Sequence, residues 1–180
     1  GGEIRAYSEE GQGSCFMVCI PCEQVAPTSR ILSEESILLV NMKVMIVDDD
    51  TLNVDILRQF MHRINVTSIT TARNGIEAYN SYCRAVENGD PLTLITMDLD
   101  MPFMNGKEAS KKIRMFERKK GLAHCPIIMI SGHCIETEIN ECINPYGEVL
   151  AQTFLKKPVT FEDFRREALI ALKNSRKNPF

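Results

Sequence analysis

In the segment Thr96-Met97-Asp98-Leu99-Asp100-Met101-Pro102-Phe103-Met104-Asn105-Gly106, an apolar approach from Leu92 to Met97 ends abruptly on an acid. A proline and a glycine follow, and then a charged helical pattern begins. This is the pattern of a buried strand that delivers one carboxylate to a loop at its C-terminal end. In open α/β sheets that edge is where ligands bind.

Working outward, the same alternation recurs on both sides. Val44-Met45-Ile46-Val47 is a short buried strand with Asp48-Asp49-Asp50 at its end, and Leu52, Ile56, Phe60 and Ile64 then recur at helical spacing. Val66 to Thr71 is rich in β-branched residues and predicts the second strand, followed by a helix striped by Tyr79, Tyr82, Cys83 and Val86. Downstream, Ala109, Ile113 and Phe116 mark the helix after Gly106, which Lys119-Lys120-Gly121 ends. The fourth strand is Pro126 to Ile130, closing on Ser131-Gly132. A helix is expected over about Glu136 to Ile143, and Asn144-Pro145-Tyr146-Gly147 breaks it. Thr153-Phe154-Leu155 is the fifth strand, with Lys156-Lys157-Pro158 after it. Phe161, Phe164, Ala168 and Leu172 stripe a last helix that frays from Lys173. Five strands alternating with five helices imply a parallel sheet covered on both faces, with right-handed crossovers.

The totals agree. The 180 residues are 44% hydrophobic and 25% charged, which suits a globular domain with a real core. A net charge of -3 points neither to nucleic acid nor to an anionic membrane surface. Seven scattered cysteines, with no secretory signal, predict a reducing, cytoplasmic compartment. No apolar run approaches the roughly 20 residues of a spanning helix, so no membrane contact is expected from this segment. The chain begins at Gly1 rather than Met, so a fragment or a processed product is expected, and any membrane anchor of a parent protein would not be visible in this segment.

Polar residues concentrate at the C-terminal ends of the expected strands: Asp48 and Asp49, Asp98, Ser131 and Lys157. Parallel strands put those ends on one edge, so the residues converge. Gathered carboxylates repel one another unless a cation sits among them. With oxygen ligands and no His or Cys nearby, that cation is hard, and Mg²⁺ is the first choice. Mg²⁺ favours one or two carboxylates plus a phosphate, so a phosphoryl group is the implied guest. Lys157 supplies a fixed positive charge and Ser131 a hydroxyl donor for phosphoryl oxygens. Asp98 can then be a nucleophile that forms an acyl phosphate.

Residues 42–175 resemble the receiver (response regulator) domain of two-component phosphorelay signalling. The matching words are Lys43 to Asp50, Ala72-Arg73-Asn74-Gly75-Ile76-Glu77-Ala78, Met97 to Gly106, Ile128-Met129-Ile130-Ser131-Gly132 and Lys157-Pro158. The resemblance implies a flavodoxin-like (βα)5 doubly wound sheet of order 2-1-3-4-5. It implies that Asp98 takes a phosphoryl group from a phosphohistidine, on a kinase domain or a histidine phosphotransfer protein. Asp49, Asp98 and the backbone carbonyl of Asp100 would bind Mg²⁺ directly, and Asp48 through water. Ser131 and Lys157 would contact the phosphoryl oxygens; Lys157 is preferred to Lys156 because it directly precedes the proline. Phe154 falls at the aromatic switch position and would move with Ser131. The interval from Ser131 to Lys157 is longer than the family's usual one.

Residues 1–22 form a separate piece, read as a β-hairpin with a four- to six-residue connection, and 23–41 as a linker. Gly1-Gly2-Glu3-Ile4, Ser8 to Phe16 and Pro21 resemble the last two strands of a histidine-kinase ATP-binding domain. Together with the receiver, and a tail over 176–180, this implies a hybrid histidine kinase whose ATP site and phosphorylated histidine lie elsewhere. No independent kinase activity is expected of this segment, and no output domain is expected after Lys173 to Phe180.

Other readings compete. Asp50 suits a helix N-cap. Asp98-Leu99-Asp100 is also the acid pair of haloacid-dehalogenase-type phosphatases, but Met101-Pro102 lacks the small or hydroxyl residue that family wants. A calcium loop wants oxygen ligands and a glycine where Pro102 and Phe103 stand. Cys15, Cys19 and Cys22 approach a metal spacing, without a second ligand pair. A Mg²⁺-dependent phosphatase or phosphotransferase using Asp98 and a degenerate receiver that only binds partners remain the alternatives.

Overall fold

The computed structural model describes residues 2–21, 42–132 and 135–177, with side chains to 174. Cys22, the expected linker over 23–41, His133 and the end of the tail lie outside the described residues. Chain contacts divide the protein into two units, Gly1–Ile31 and Leu32–Phe180.

In the first unit, β1 (Glu3–Glu9) pairs antiparallel with β2 (Gly13–Cys19), from Glu3 opposite Cys19 to Glu9 opposite Gly13. The connection is Glu10-Gly11-Gln12, three residues rather than the expected four to six. Gly11 and Gly13 both adopt positive φ, 78° and 93°, which lets the chain reverse this tightly. Ile4, Ala6, Phe16 and Val18 share one face, and every residue of both strands is exposed.

The second unit is the expected α/β layer structure. Its elements are β3 (Lys43–Val47), α1 (Thr51–Arg63), β4 (Ser68–Ala72), α2 (Gly75–Glu87), β5 (Leu94–Asp98), α3 (Gly106–Lys120), β6 (Ile127–Ser131), α4 (Glu136–Ile143), β7 (Thr153–Lys156) and α5 (Phe161–Lys177). The five strands β4-β3-β5-β6-β7 lie parallel, which is the order 2-1-3-4-5 counted within the sheet. The flavodoxin-like fold expected from the sequence is therefore the fold observed.

Pleating sends alternate side chains to opposite layers. Val44, Ile46, Leu94, Ile128 and Ile130 pack with Leu57, Met61, Phe164 and Ala168 beneath α1 and α5. Met45, Val47, Ile95, Met97, Ile127 and Met129 pack with Ala78, Tyr82, Ile113 and Cys142 beneath α2, α3 and α4. The helices start where short polar side chains can cap them. Asp50, Asn74 and Asn105 accept from Leu52, Glu77 and Glu108 backbone N–H groups respectively, and Gly121 ends α3 with φ 65°. Several element ends differ from expectation; β4, for example, begins at Ser68 rather than Val66 and ends at Ala72 rather than Thr71. β5 begins at Leu94 rather than Leu92, and just before it the Thr93 N–H and hydroxyl both donate to the Lys43 carbonyl. Helix α5 runs to Lys177 instead of fraying from Lys173. Among the described residues no helix is long and apolar enough to cross a membrane.

Candidate functional site

The sheet register builds the site. Val47 lies opposite Met97, Asp98 opposite Ile130, and Ser131 opposite Lys156. Asp48, Asp98, Ser131 and Lys157 thus occupy neighbouring places at the C-terminal edge, although up to 109 residues separate them in sequence.

Asp48 is 1% exposed and fully engaged. Its Oδ1 accepts from the Asp50 N–H at 3.0 Å and from Asn53 Nδ2 at 3.1 Å, and its Oδ2 from Lys157 Nζ at 2.8 Å. Asp98 is 4% exposed, and its Oδ1 accepts from the same ammonium at 2.7 Å. Asp49 is exposed beside them. One oxygen from each of Asp48, Asp49 and Asp98 lies within 4.8 Å of the others. That all-oxygen set fits a hard cation such as Mg²⁺. Lys156 is exposed on β7; Lys157 is the lysine that reaches the acids.

The electrostatics follow from this packing. Burial pushes the Asp98 carboxyl up to about 6; Lys157 pulls the other way, while Asp48 and Asp49 add to the rise. Burial works against the Lys157 charge, yet its hydrogen bonds to Asp48 and Asp98 hold its pKa above the usual lysine value. Asp98 is thus a carboxylate poorly solvated and poised beside a fixed cation, as a nucleophile toward an anionic electrophile requires.

Ser131, at the end of β6, is 0% exposed. Its hydroxyl lies 3.0 Å from Asp100 Oδ2 and donates to it, and its carbonyl accepts from the Lys157 N–H at 2.8 Å. Asp100 is exposed in the loop after β5. Phe154, on β7 opposite Met129, is half-buried against the layer beneath α2, α3 and α4. It is set apart from the acids by pleating and joined to Ser131 through the β6–β7 ladder. The Lys157–Pro158 peptide is cis.

The loop after β5 is held by close backbone approach. The Gly106 N–H donates to the Leu99 carbonyl at 2.9 Å, and a Cβ on Gly106 would collide with the Asp98 carbonyl oxygen. The Gly75 N–H donates to the Met104 carbonyl at 3.0 Å, and a Cβ there would sit 2.6 Å from that oxygen. Both glycines stand where only a hydrogen fits. Sequence reasoning missed Asn53, which anchors Asp48. Its signal was its place in the first turn of α1, directly after the acidic run.

Comparison with known proteins gives one family. Residues 44–168 match the response regulator receiver domain. The osmolarity two-component system protein SSK1 of Saccharomyces cerevisiae is 35% identical over 116 residues, covering 64% of this chain. The chain spans 15%, 7% and 5% of the length of the first three curated relatives it matches. Two solved structures share the fold. One is the receiver domain of the histidine kinase CKI1 from Arabidopsis thaliana, complexed with Mg²⁺ and BeF₃⁻ (26% identity, TM-score 0.60, 74% of this chain and 93% of that one). The other is the receiver domain of Ssk1 with the S. cerevisiae histidine phosphotransfer signalling protein Ypd1 (27% identity, TM-score 0.59, 71% and 86%).

Proposed function

The chain belongs to the response regulator receiver domain family, and from that premise we propose that it accepts a phosphoryl group on Asp98 in a Mg²⁺-dependent phosphorelay step. The observation that carries this reading is Lys157 Nζ bridging Asp48 and Asp98 at 2.8 and 2.7 Å inside a cluster of three carboxylates. An Asp98 oxygen attacks the phosphorus of a phosphohistidine. The P–N bond breaks, the imidazole nitrogen leaves with the electron pair, and an acyl phosphate remains on Asp98. Asp49, Asp98 and the Asp100 backbone carbonyl would hold Mg²⁺, with Asp48 reaching it through water. The ion supplies charge neutralisation for the phosphoryl oxygens. Lys157 and Ser131 bind those oxygens, and Phe154 moves with Ser131 as the switch.

The donor or acceptor is a phosphohistidine-bearing domain of a kinase or a histidine phosphotransfer protein, a reading supported by the likeness to the Ssk1 receiver seen with Ypd1. The hairpin β1–β2 supports a hybrid-kinase parent. Its apolar face of Ile4, Ala6, Phe16 and Val18 is exposed, as expected of strands from a larger sheet. We place the domain in the cytoplasm, a reading supported, among the described residues, by the unbridged Cys15, Cys19, Cys83 and Cys125.

Phosphotransfer from a radiolabelled histidine phosphotransfer protein tests the reading. With Mg²⁺ the label should move to the wild-type chain and not to Asp98→Asn. Sustained release of inorganic phosphate from small phosphoesters, without a labelled chain, would favour the phosphatase alternative instead.

A further inference from the structure

Ser131 and Asp100 meet because of the register. Asp98 lies opposite Ile130, and the Leu99 N–H donates to the Ile130 carbonyl at 3.0 Å, so the chain runs on beside β6 for two more residues. That brings the Asp100 carboxylate to 3.0 Å from the Ser131 hydroxyl. Ser131 is fully buried, so bulk water does not compete for this donor. Asp100 is exposed, so its carboxylate keeps its hydration. A hydrogen bond to a carboxylate is roughly twice as strong as one between neutral groups.

The proposed phosphoryl site needs the same hydroxyl. We propose that Asp100 is a positioning residue that occupies the Ser131 hydroxyl in the resting state, so that a phosphoryl group on Asp98 binds Ser131 only by displacing it from Asp100. This rests on the receiver reading and deepens it. The Asp100 side chain acts on the reaction through Ser131, separately from any role of its backbone carbonyl. When only a fraction of molecules has the hydroxyl free, apparent affinity for a phosphoryl group falls by that fraction. Asp100 therefore sets the threshold at which Ser131 moves, and with it the coupling to Phe154.

Beryllofluoride binding in Mg²⁺ tests this with a double-mutant cycle on the whole chain. Asp100→Ala should bind the mimic about tenfold more tightly than wild type, the size expected for removing one charge-assisted competitor. Asp100→Asn, which keeps an acceptor oxygen but not the charge, should fall between them. In a Ser131→Ala background the Asp100→Ala change should have no effect, because the hydroxyl it competes for is gone. An equal gain with and without Ser131 would overturn the proposal and assign the effect to charge alone. Weaker binding by Asp100→Ala would overturn it as well. Wild type failing to bind at all would remove the receiver reading and this proposal together, whereas normal binding with no coupling would remove only the latter.

Discussion

At the residue scale, Asp98 destabilises the fold it serves. Its carboxyl titrates at about 6 when buried in the site, against 3.8 for the ordinary group. Between those values the folded chain holds a proton that the unfolded chain has released, so stability falls as pH rises through the window. Above it the full cost applies, about 3 kcal/mol for a shift of this size. In chelator-treated protein, Asp98→Asn should therefore be more stable than wild type near neutrality. The gap should widen by about 1 kcal/mol between about pH 5 and about pH 7.5, measured by urea unfolding. A gap that stays constant, or that narrows as pH rises, would contradict this account of the site. Asp98 itself was legible in the sequence because an apolar run broke on an acid. Its link through Ser131 to Asp100 was not, since that depends on which oxygen a hydroxyl finds after β5 and β6 are laid side by side.

At the element scale, α3 holds the long connection from α4 to β7. Arg114 and Glu117 are 1% and 0% exposed, and Arg114 Nη1 donates to Glu117 Oε2 at 2.7 Å. Its Nε donates to the Val149 carbonyl and its Nη2 to the carbonyls of Leu150 and Cys125, at 2.9 to 3.2 Å. Glu117 also accepts from the Tyr82 hydroxyl and the Cys125 N–H, both at 2.8 Å. Burial and the negative charge of Glu117 hold the Tyr82 hydroxyl well above its usual titration range. Two exposed ion pairs, Lys107 with Glu141 and Lys111 with Glu148, continue the lacing along the helix, and each adds little by itself. The extra length between Ser131 and Lys157, visible in the sequence as a departure, is thus pinned by a buried ion pair. Glu117→Ala should cost about 3–5 kcal/mol, because it strands a buried guanidinium. A loss below about 1 kcal/mol in urea unfolding of Glu117→Ala would mean that Arg114 finds other compensation. The sequence hid this network because charged residues on a helix are ordinarily read as its solvated face. The hint was their spacing, with Ser110, Arg114 and Glu117 recurring every three or four residues beside Ile113.

At the scale of the whole molecule, the receiver unit was readable because its levels agree. Strand runs, caps, glycines and edge acids all specify one sheet order, and the described sheet has it. The hairpin was readable as a hairpin, but its loop length depended on two glycines taking positive φ, which residue counts do not reveal. On the proposed function, the five-stranded unit places one nucleophile, Asp98, between a lysine and a metal site. The most direct test of that claim is intact mass after incubation with acetyl phosphate and Mg²⁺, followed by borohydride trapping and peptide mapping. Wild type should gain the mass of one phosphoryl group, lose that gain when Mg²⁺ is chelated beforehand, and map the modification to Asp98. A gain that persists in Asp98→Asn, or no gain in wild type with Mg²⁺ present, would contradict it.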